Sequence, residues 1–421
     1  MINCFIPFLS LPQARQTVRA LGLCDRIKNI YLLATEKIPD EVEGCEMLMI
    51  DSPASTATFR TIALHADTAY TLLYTKYTAF EPGQFAFERL LAIAGDTNAG
   101  MLYADRYLLK NGNSQQAPVI DYQKGSLRDD FDFGSLLFFR SSVLKQAVRA
   151  MDADYRFAGL YDLRLRVSEL AELVHVNEYL YSEVETDIRK SGEKLFDYVD
   201  PKNRAVQIEM EAVCTAYLKR VGGYLAPDFE PVTFDAGGFE QEASVIIPVR
   251  NRIRTIEDAI RSVLAQKTTF RFNLIIVDNH STDGTSEAIG KYTADGRVVH
   301  LVPERSDLGI GGCWNVGVHH PACGKFAVQL DSDDVYSGPD TLQKIVDAFY
   351  EQNCAMVVGT YRMTDFKMNE IPPGIIDHRE WTLENGRNNA LRINGLGAPR
   401  AFYTPVLRRI NLPNTSYGED Y

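Results

Sequence analysis

Lys325-Phe-Ala-Val-Gln-Leu-Asp-Ser-Asp-Asp334 joins a short apolar run to a cluster of carboxylates. Two runs of the same kind precede it, Ala243-Ser-Val-Ile-Ile-Pro-Val-Arg-Asn251 and Phe272-Asn-Leu-Ile-Ile-Val-Asp278. Short apolar runs rich in β-branched residues and bounded by turn formers are typical of buried parallel strands. Between the runs, residues 255–266 and 286–292 have the apolar spacing of helices. This alternation predicts an α/β fold in which a mostly parallel, twisted sheet is flanked by helices.

Two of the predicted helices place their apolar residues on one face. These residues are Ile256, Ala259, Ile260, Val263 and Leu264 in the first helix, and Leu342, Ile345, Val346 and Phe349 in a helix that follows Pro339. An apolar stripe of this kind covers a sheet, while the opposite face meets solvent. Ligands of such sheets bind outside the carboxyl ends of the strands, which is where Asp278 and Asp331 lie in this sequence.

The first half of the chain has a fainter version of the same pattern. Cys4-Phe-Ile-Pro-Phe8 resembles the run that ends at Val249, and Thr71-Leu-Leu-Tyr-Thr-Lys-Tyr77 aligns without a gap with Val328-Gln-Leu-Asp-Ser-Asp-Asp334. We interpret this as a tandem duplication of one α/β domain. The alternative is that any two α/β domains share such a hydrophobic rhythm.

The predicted organisation has three parts. Residues 1–188 form a diverged, non-catalytic domain, residues 189–240 form a helical segment and a linker, and residues 241–421 form the catalytic domain. The gapless alignment sets Tyr74 and Lys76 opposite Asp331 and Asp333. A charged lysine cannot ligate a cation, so the first domain should be silent, unless Lys76 itself replaces the charge of a metal.

Composition excludes several classes of protein. The chain has 421 residues, with 44 Lys and Arg against 56 Asp and Glu and a formal net charge of -12, which argues against a general nucleic-acid binder. Its seven scattered cysteines suit reduced thiols rather than a disulfide framework. We find no secretory signal and no apolar run of the roughly 20 residues that span a bilayer. We expect a cytoplasmic protein without a transmembrane segment, and leave peripheral attachment at the inner face of the membrane open.

Two carboxylates separated by one residue suit a divalent cation. Asp331 and Asp333 follow a predicted buried strand, and Mg²⁺ or Mn²⁺ prefers oxygen ligands of this kind. Taken alone, such a pair is more often a solvated turn with helix-capping aspartates. Its position after a predicted strand, with two other loops directed to the same edge, favours the cation here. Asp307-Leu-Gly-Ile-Gly-Gly-Cys-Trp-Asn315 is a glycine-rich stretch before a helix, which allows close approach to a ligand but also occurs in ordinary turns.

The order of the motifs resembles family 2 glycosyltransferases of the GT-A fold. The likeness extends from Ala243 to Tyr421 and rests on the motifs Val245-Ile-Ile-Pro-Val-Arg-Asn, Val277-Asp-Asn-His-Ser-Thr-Asp-Gly-Thr, Leu308-Gly-Ile-Gly-Gly-Cys-Trp-Asn-Val-Gly, Leu330-Asp-Ser-Asp-Asp and Gly418-Glu-Asp-Tyr. Together they are far more specific than any one alone. The resemblance implies inverting transfer of a sugar from a nucleotide-diphosphate donor, with a UDP-sugar favoured. It also implies a glycan or lipid-linked oligosaccharide as acceptor, and Mn²⁺ or Mg²⁺ on the diphosphate.

The resemblance also assigns roles to residues. In that family the positions of Pro248, Asn251 and Asp278 help to hold the nucleoside. The position of Asp331 often contacts ribose, that of Asp333 is the principal metal ligand, and Asn279 stands where many members have a second aspartate. The residues that we assign to the donor are Pro248, Val249, Arg250, Asn251, Asp278, Asn279, Ser281, Gly309, Asn315, Asp331 and Ser332, with Asp333 and Asp331 on the metal.

The acceptor side is assigned in the same way. The resemblance implies Asp420 as the general base, with Glu419 positioning the acceptor or the base. Residues 395–400 are a predicted acceptor-side loop, in which Arg400 is a candidate contact to the diphosphate or acceptor. The chain stops at Tyr421, whereas the family usually continues with a helix, so we expect a longer protein and a poorly held Asp420 in this one.

Two other functions compete with this interpretation. A nucleotidyltransferase also uses an open α/β sheet, but typically has a glycine-rich loop directly after the first strand, where this sequence has Pro248-Val-Arg-Asn-Arg252. A non-catalytic sugar-nucleotide or glycan-binding scaffold of two degenerate transferase domains is the second alternative. The intact Asp331-Ser-Asp-Asp334 and Gly418-Glu-Asp-Tyr421 argue against it for the second domain.

Overall fold

The computed structural model describes residues 1–37, 40–110, 112–184, 203–235, 237–378, 381–393 and 399–416. Its strands are β1 (Ile2–Pro7), β2 (Ile27–Ala34), β3 (Glu46–Met49), β4 (Tyr70–Tyr74), β5 (Phe80–Pro82), β6 (Met101–Lys110), β7 (Asn113–Ala117), β8 (Leu136–Arg140), β9 (Leu173–Val184), β10 (Ala243–Val249), β11 (Phe272–Asp278), β12 (Val298–Leu301), β13 (Phe326–Gln329), β14 (Met356–Val358), β15 (Tyr361–Thr364), β16 (Glu370–Ile376) and β17 (Arg400–Tyr403). Its helices are α1 (Leu11–Leu21), α2 (Thr56–His65), α3 (Ala86–Thr97), α4 (Ser141–Arg149), α5 (Gly159–Leu170), α6 (Arg204–Val221), α7 (Ile256–Leu264), α8 (Thr285–Gly290), α9 (Ile310–His319), α10 (Thr341–Gln352), α11 (Gly386–Asn389) and α12 (Thr404–Ile410).

The chain divides into two compact units. Unit 1 comprises residues 1–226 together with 383–393, and unit 2 comprises 227–382 and 394–421. The sequence assigned residues 383–393 to the second domain, and the structure corrects this assignment. The reason is that α11 packs on α6, a contact between residues far apart in the chain that no local pattern shows.

The two units share one sheet topology. In the described residues, the sheet of unit 1 has the order β3-β2-β1-β4-β8-β6-β9-β5, and that of unit 2 has the order β12-β11-β10-β13-β17-β14. The first four strands of each order are parallel, and β8 and β17 run antiparallel to both of their neighbours. The predicted fold class, α/β with two mostly parallel sheets, is therefore confirmed. That the repeat arose by duplication stays a prediction.

Strand pairing corrects the predicted alignment of the two halves by one residue. Thr71 pairs with Asn3 on β1 and with Phe139 on β8, and Ala327 has the equivalent pairs on β10 and β17. Thr71 is therefore equivalent to Ala327. Four residues further along, Thr75 corresponds to Asp331, and two residues after that Tyr77 corresponds to Asp333. Setting Tyr74 and Lys76 opposite the two aspartates was therefore wrong. A strand buried on both faces has no polar alternation, so its sequence does not fix its register.

The core of unit 2 lies on both faces of its sheet. On one face, Val245 and Ile247 of β10 pack against α7 and α10, whose predicted apolar residues are buried except for the partly buried Leu264. On the other face, Ile246 packs with Trp314 of α9 and Leu407 of α12. Because both faces are covered, β10 and β11 are buried nearly throughout, which explains their unbroken apolar runs.

Strands β11, β10 and β13 are adjacent and parallel, so their carboxyl ends lie at one edge of the sheet. The loops that follow Val249, Asp278 and Leu330 therefore meet there. All seven cysteines are free, as expected for reduced thiols. Among the described residues, no helix combines the length and apolar character needed to cross a bilayer.

Candidate active site

The loops after β10 and β11 hold each other in place. The Asn251 N–H donates to Ser281 Oγ at 3.0 Å, and the Thr282 N–H donates to Asn251 Oδ1 at 2.8 Å. Asn251 has a φ of 55°, a left-handed conformation that asparagine adopts more readily than most residues. The sequence analysis assigned both Asn251 and Ser281 to donor binding. In the structure, their hydrogen bonds join the two loops that border the candidate site.

Asp278 is fully buried at the end of β11. Its Oδ1 accepts the Ser281 N–H at 3.0 Å, and its Oδ2 accepts the Ser286 hydroxyl and faces His300 Nε2 at 3.4 Å. Desolvation raises the pKa of this carboxyl, but the hydrogen bonds from Ser286 and Ser281 outweigh it, so the pKa is lowered overall. The carboxylate is ionised and organises the loop that follows it.

We expect Asp278→Asn to cost about 1–3 kcal/mol of unfolding free energy at pH 7, because an amide cannot accept the same donors. Since the folded pKa lies below the unfolded value of about 3.9, the ionised group stabilises the fold above that pH. The contribution is lost as pH falls through the lowered folded pKa. Urea unfolding followed by tryptophan fluorescence reports on unit 2, which holds both tryptophans, Trp314 and Trp381. The difference between wild type and variant should shrink toward pH 3, and a constant difference contradicts the assignment.

Asn279 presents an unmatched acceptor at the same edge. Its backbone N–H donates to the Val249 carbonyl at 2.8 Å, and its side-chain Nδ2 donates to the Leu308 carbonyl at 2.8 Å. The Leu308 contact fixes the orientation of the amide, because a flipped amide would face one oxygen with another. Asn279 Oδ1 is buried and has no hydrogen-bond partner. An unpaired buried acceptor costs about 1–3 kcal/mol, which a ligand N–H would recover.

The residues after β13 concentrate negative charge. Asp331, Asp333 and Asp334 lie in one turn, closed by the Asp334 N–H donating to the Asp331 carbonyl at 3.1 Å. The Asp333 side chain is 47% exposed, and the Nε of Arg252 lies 3.8 Å from its Oδ2. Desolvation, followed by the charges of Asp331 and Asp333, raises the pKa of Asp334 to about 6. Burial is the main cause of the raised pKa, and the negative charges of Asp331 and Asp333 add to it.

The residues present fit a divalent cation that takes some of its ligands from the protein and the others from a bound molecule. Magnesium-type ions in enzymes are commonly held by one or two carboxylates plus substrate phosphates and water. Asp331 and Asp333 supply two carboxylates, and a cation would offset their negative charges, which add to the effect of burial on the pKa of Asp334. In the described part of the chain, three metal-type ligand atoms within 4.8 Å of one another occur only at Cys24, Asp25 and Glu88 of unit 1.

The glycine-rich stretch binds a more C-terminal segment of the same chain. The Gly309 N–H donates to Asn414 Oδ1 at 2.8 Å, and the Gly311 N–H donates to the Thr415 carbonyl at 3.1 Å. Asn315 exchanges two hydrogen bonds with the backbone of Leu412, at 2.7 and 3.0 Å. Gly309 and Asn315 were assigned to the donor from sequence, but here they fasten residues 412–416 to the first turns of α9. The sequence signal that was missed is the Asn414-Thr415 pair, which supplies the acceptors.

We expect Gly309→Ala to displace residues 412–416. A Cβ at this position would lie 2.4 Å from the carbonyl carbon and oxygen of Thr415, which are backbone atoms that cannot rotate away. Overpacking of this kind costs about 1–3 kcal/mol. Hydrogen exchange of the Gly311 amide should accelerate about tenfold or more, because its acceptor is displaced. Gly290→Ala is the control, since its Cβ meets nothing within 4 Å. Equal exchange in both variants contradicts the contact.

The remaining predicted residues occupy varied positions. Pro248 and Val249 are ladder residues of β10, Arg250 is exposed in the following loop, and Ser332 is buried between the aspartates. Arg400, the candidate acceptor-side contact, is buried and donates through Nε to Gln329 of β13. Glu419, Asp420 and residues 395–398 lie outside the described residues, so their predicted roles stay predictions.

Residues 244–409, less than half of the chain, match the family model described as glycosyl transferase family 2. An uncharacterized glycosyltransferase of Rickettsia conorii is 38% identical over 97 residues, which cover 23% of this chain and 15% of that protein. The putative teichuronic acid biosynthesis glycosyltransferase TuaG of Bacillus subtilis is 33% identical over 120 residues, which cover 28% of this chain and 46% of that protein. The chain therefore matches less than half the length of these curated relatives.

Among solved structures, S. aureus TarS 1-349 is 24% identical with a TM-score of 0.35, covering 42% of this chain and 52% of that chain. The mannosyltransferase PcManGT from Pyrobaculum calidifontis, in complex with GDP-Man and Mn²⁺, is 18% identical with a TM-score of 0.31, covering 50% of this chain and 57% of that chain.

Proposed function

We propose, from the premise that residues 244–409 belong to glycosyl transferase family 2, that unit 2 transfers a sugar from a nucleotide-diphosphate donor to an acceptor hydroxyl. The observation that carries the proposal is the unmatched Asn279 Oδ1 at the same sheet edge as the crowded carboxylates after β13. Strand β10 separates β11 from β13, so the two features lie about 10 Å apart at the strand spacing of a sheet. A nucleoside diphosphate, with base, ribose and phosphates in a row, is long enough to reach both.

The nucleobase is assigned to the β11 side of the site. Asn279 Oδ1 needs a donor, and the ring N–H of uracil can supply one, as that of thymine can. The preference for UDP-sugars rests on the family resemblance. Asp278 is already hydrogen-bonded to Ser281 and Ser286, so its main contribution is to fix the loop that forms the rim. We assign Pro248 and Asn251 to the opposite side of the nucleobase.

The diphosphate is assigned to the β13 side. Asp331 and Asp333 would hold Mn²⁺ or Mg²⁺, which when bound neutralises the charge of the departing nucleoside diphosphate. Arg252, whose Nε is 3.8 Å from Asp333, brings a positive charge to the same edge, and Arg250 lies in the same loop. Ser332, which lies between the two aspartates in sequence, is buried.

The acceptor hydroxyl is assigned to the C-terminal segment. We assign Asp420 as the base that takes the hydroxyl proton while the acceptor oxygen bonds to the anomeric carbon and the bond to the diphosphate breaks, which inverts that carbon. Residues 412–416 are fastened to α9, and from Ser416 an extended chain reaches Asp420 within about 14 Å. The acceptor, a glycan or lipid-linked oligosaccharide, rests on the family resemblance.

Unit 1 is assigned no transferase activity. Ala34, Thr75 and Tyr77 stand at its positions equivalent to Asp278, Asp331 and Asp333. The Lys76 ammonium pairs with buried Glu183 at 2.5 Å, and Glu183 also accepts from Arg106 at 3.0 Å. Lys76 therefore neutralises a carboxylate of its own unit, which argues against its replacing a metal charge.

A binding screen tests the proposal. The chain is titrated with UDP, GDP, CMP and dTDP and their common sugars, with and without Mn²⁺ or Mg²⁺, by calorimetry or thermal shift. We expect metal-dependent binding of UDP in preference to the others. Failure of every nucleotide to bind a chain shown to be folded favours the scaffold alternative.

A further inference from the structure

A cavity of about 540 Å³ lies in unit 1, between helix α1 and strand β5. Arg15, Arg19 and Leu23, on α1 and the turn after it, form one wall, and Glu81 and Pro82 lie on the other. The volume falls within the roughly 300–1,000 Å³ of small-molecule sites. All of the lining residues belong to unit 1, so none of them is assigned to the donor site of unit 2.

The sequence of α1 explains why two arginines line the cavity. The helix packs on the sheet through one face, which includes the buried residues Ala14, Val18 and Leu21. Arg15 and Arg19 are four residues apart on the exposed face, so they lie one turn apart with their Cβ atoms about 5–6 Å from each other. At this separation both guanidinium groups can reach the same anionic group.

The charges of Arg15 and Arg19 have no counter-ion in the described part of the chain. Neither guanidinium group makes a hydrogen bond, an ion pair or a ring contact there. Helix α1 itself contains no Asp or Glu, although the formal net charge of the chain is -12. Like charges one turn apart weaken a helix, and an anion bound between them would remove this repulsion.

Glu81 brings a carboxylate to the opposite wall, but it is paired with an uncharged group. Its Oε1 accepts a hydrogen bond from Gln16 Nε2 at 3.2 Å. Among the described residues it forms no ion pair with Arg15 or Arg19. The cavity therefore combines two positive charges with one negative charge, and this balance favours an anionic ligand.

Apolar surface borders the two guanidinium groups. Leu23 is 85% exposed, and Ala20 and Pro82 also line the cavity. A single exposed leucine is common on protein surfaces. Here it lies on the same wall as the arginines, so the cavity suits a molecule whose anionic group is attached to an apolar part.

We propose that this cavity of unit 1 binds a phosphate monoester with an apolar part, in which Arg15 and Arg19 donate to the phosphate oxygens and Leu23 and Pro82 contact the apolar part. Guanidinium groups match phosphate oxygens as a bidentate fork. Two of them offer more donors than the two oxygens of a carboxylate accept, whereas a phosphate monoester has three terminal oxygens. A soluble ester and a phosphatidic acid head group share this chemistry. The proposal does not depend on transferase activity of unit 2.

Calorimetric titration of the full chain with phenyl phosphate tests the proposal. EDTA is present, so that no cation on the carboxylates of unit 2 contributes to binding. We expect Arg15→Gln and Arg19→Gln each to weaken binding about tenfold or more, because each loses a charge-assisted hydrogen bond. Inorganic phosphate should bind about tenfold more weakly than phenyl phosphate, since it lacks the apolar part.

Arg149→Gln is the matched control for both variants. Arg149 is an exposed arginine on α4, without a partner in the described part of the chain, and it does not line the cavity. All three arginines are exposed, so none of these changes removes a buried contact. Phenyl phosphate affinity should be unaltered in Arg149→Gln.

Flotation with phosphatidylcholine vesicles, with or without phosphatidic acid, distinguishes the two sources of the phosphate. Vesicle binding that requires phosphatidic acid and both arginines assigns the site to the lipid head group, and binding of phenyl phosphate alone assigns it to a soluble ester. Binding of neither probe overturns the proposal. Equal binding by the wild type, Arg15→Gln and Arg19→Gln also overturns it, as does an equal loss in Arg149→Gln, which indicates general charge attraction. Equal affinities for phenyl phosphate and inorganic phosphate overturn the apolar contact.

Discussion

Asp333→Asn should remove the metal-dependent part of nucleotide binding. The carboxylate is half exposed at the carboxyl edge of the sheet and is the predicted principal ligand. Even outer-shell substitutions cost about 10–100-fold in metal affinity, so loss of a direct ligand should cost about 100-fold or more. Calorimetric titration of UDP at fixed Mn²⁺ measures the effect. The residual binding should equal that of the wild type without metal.

The matched control is Asp347→Asn, an exposed carboxylate on α10 that accepts a hydrogen bond from Gln343. It carries the same chemical change and should leave both nucleotide affinity and metal dependence unaltered. Asp331→Asn should also lower the metal-dependent part of nucleotide binding. Wild-type metal dependence in Asp333→Asn would show that the cation, if used, is held elsewhere.

Asp420→Asn should lower turnover by about 10²–10⁴-fold, the usual contribution of a positioned general base. Nucleotide affinity should stay within about twofold, because the base contacts the acceptor and the donor pocket is built by β10, β11 and β13. The measurement is release of nucleoside diphosphate from the donor selected by the binding screen, with a panel of glycan and lipid-linked acceptors. Nucleotide binding is followed in parallel.

Glu419→Gln is the companion variant for Asp420. If Glu419 positions the acceptor or the base, its loss should reduce turnover less than loss of Asp420. A wild-type turnover in Asp420→Asn would exclude it as the base. A parallel loss of nucleotide binding in Asp420→Asn would instead place it in the donor pocket.

Much of the fold followed from the sequence because its signals are local. The runs that end at Val249 and Asp278 are strands, and the apolar faces of α7 and α10 are buried where their spacing placed them. Two adjacent parallel strands must end on the same side, so the meeting of their loops was also predictable. The position of the candidate site therefore came from sequence together with one topological rule.

The chemistry inside the site was less predictable. Sequence assigned Gly309 and Asn315 to a ligand, but their groups bind residues 412–415, because a glycine-rich turn accepts any close neighbour, including its own chain. Asn279 Oδ1 has no partner because the Leu308 carbonyl accepts from Nδ2 of the same amide and so fixes the orientation of the amide. Which side-chain atoms stay free is decided by contacts between distant residues.

By itself, the sequence determined the fold class, the existence of two similar halves and the sheet edge at which both Asp278 and Asp331 lie. These are set by hydrophobic periodicity and by turn residues, which act over short stretches of chain. Only the tertiary structure decided the register that puts Thr75 and Tyr77, rather than Tyr74 and Lys76, at the equivalent positions in unit 1. It alone also placed residues 383–393 in unit 1. The physical reason is the same in both cases: hydrogen-bond ladders and buried ion pairs join residues that are far apart in sequence, and no local pattern records which partners they choose.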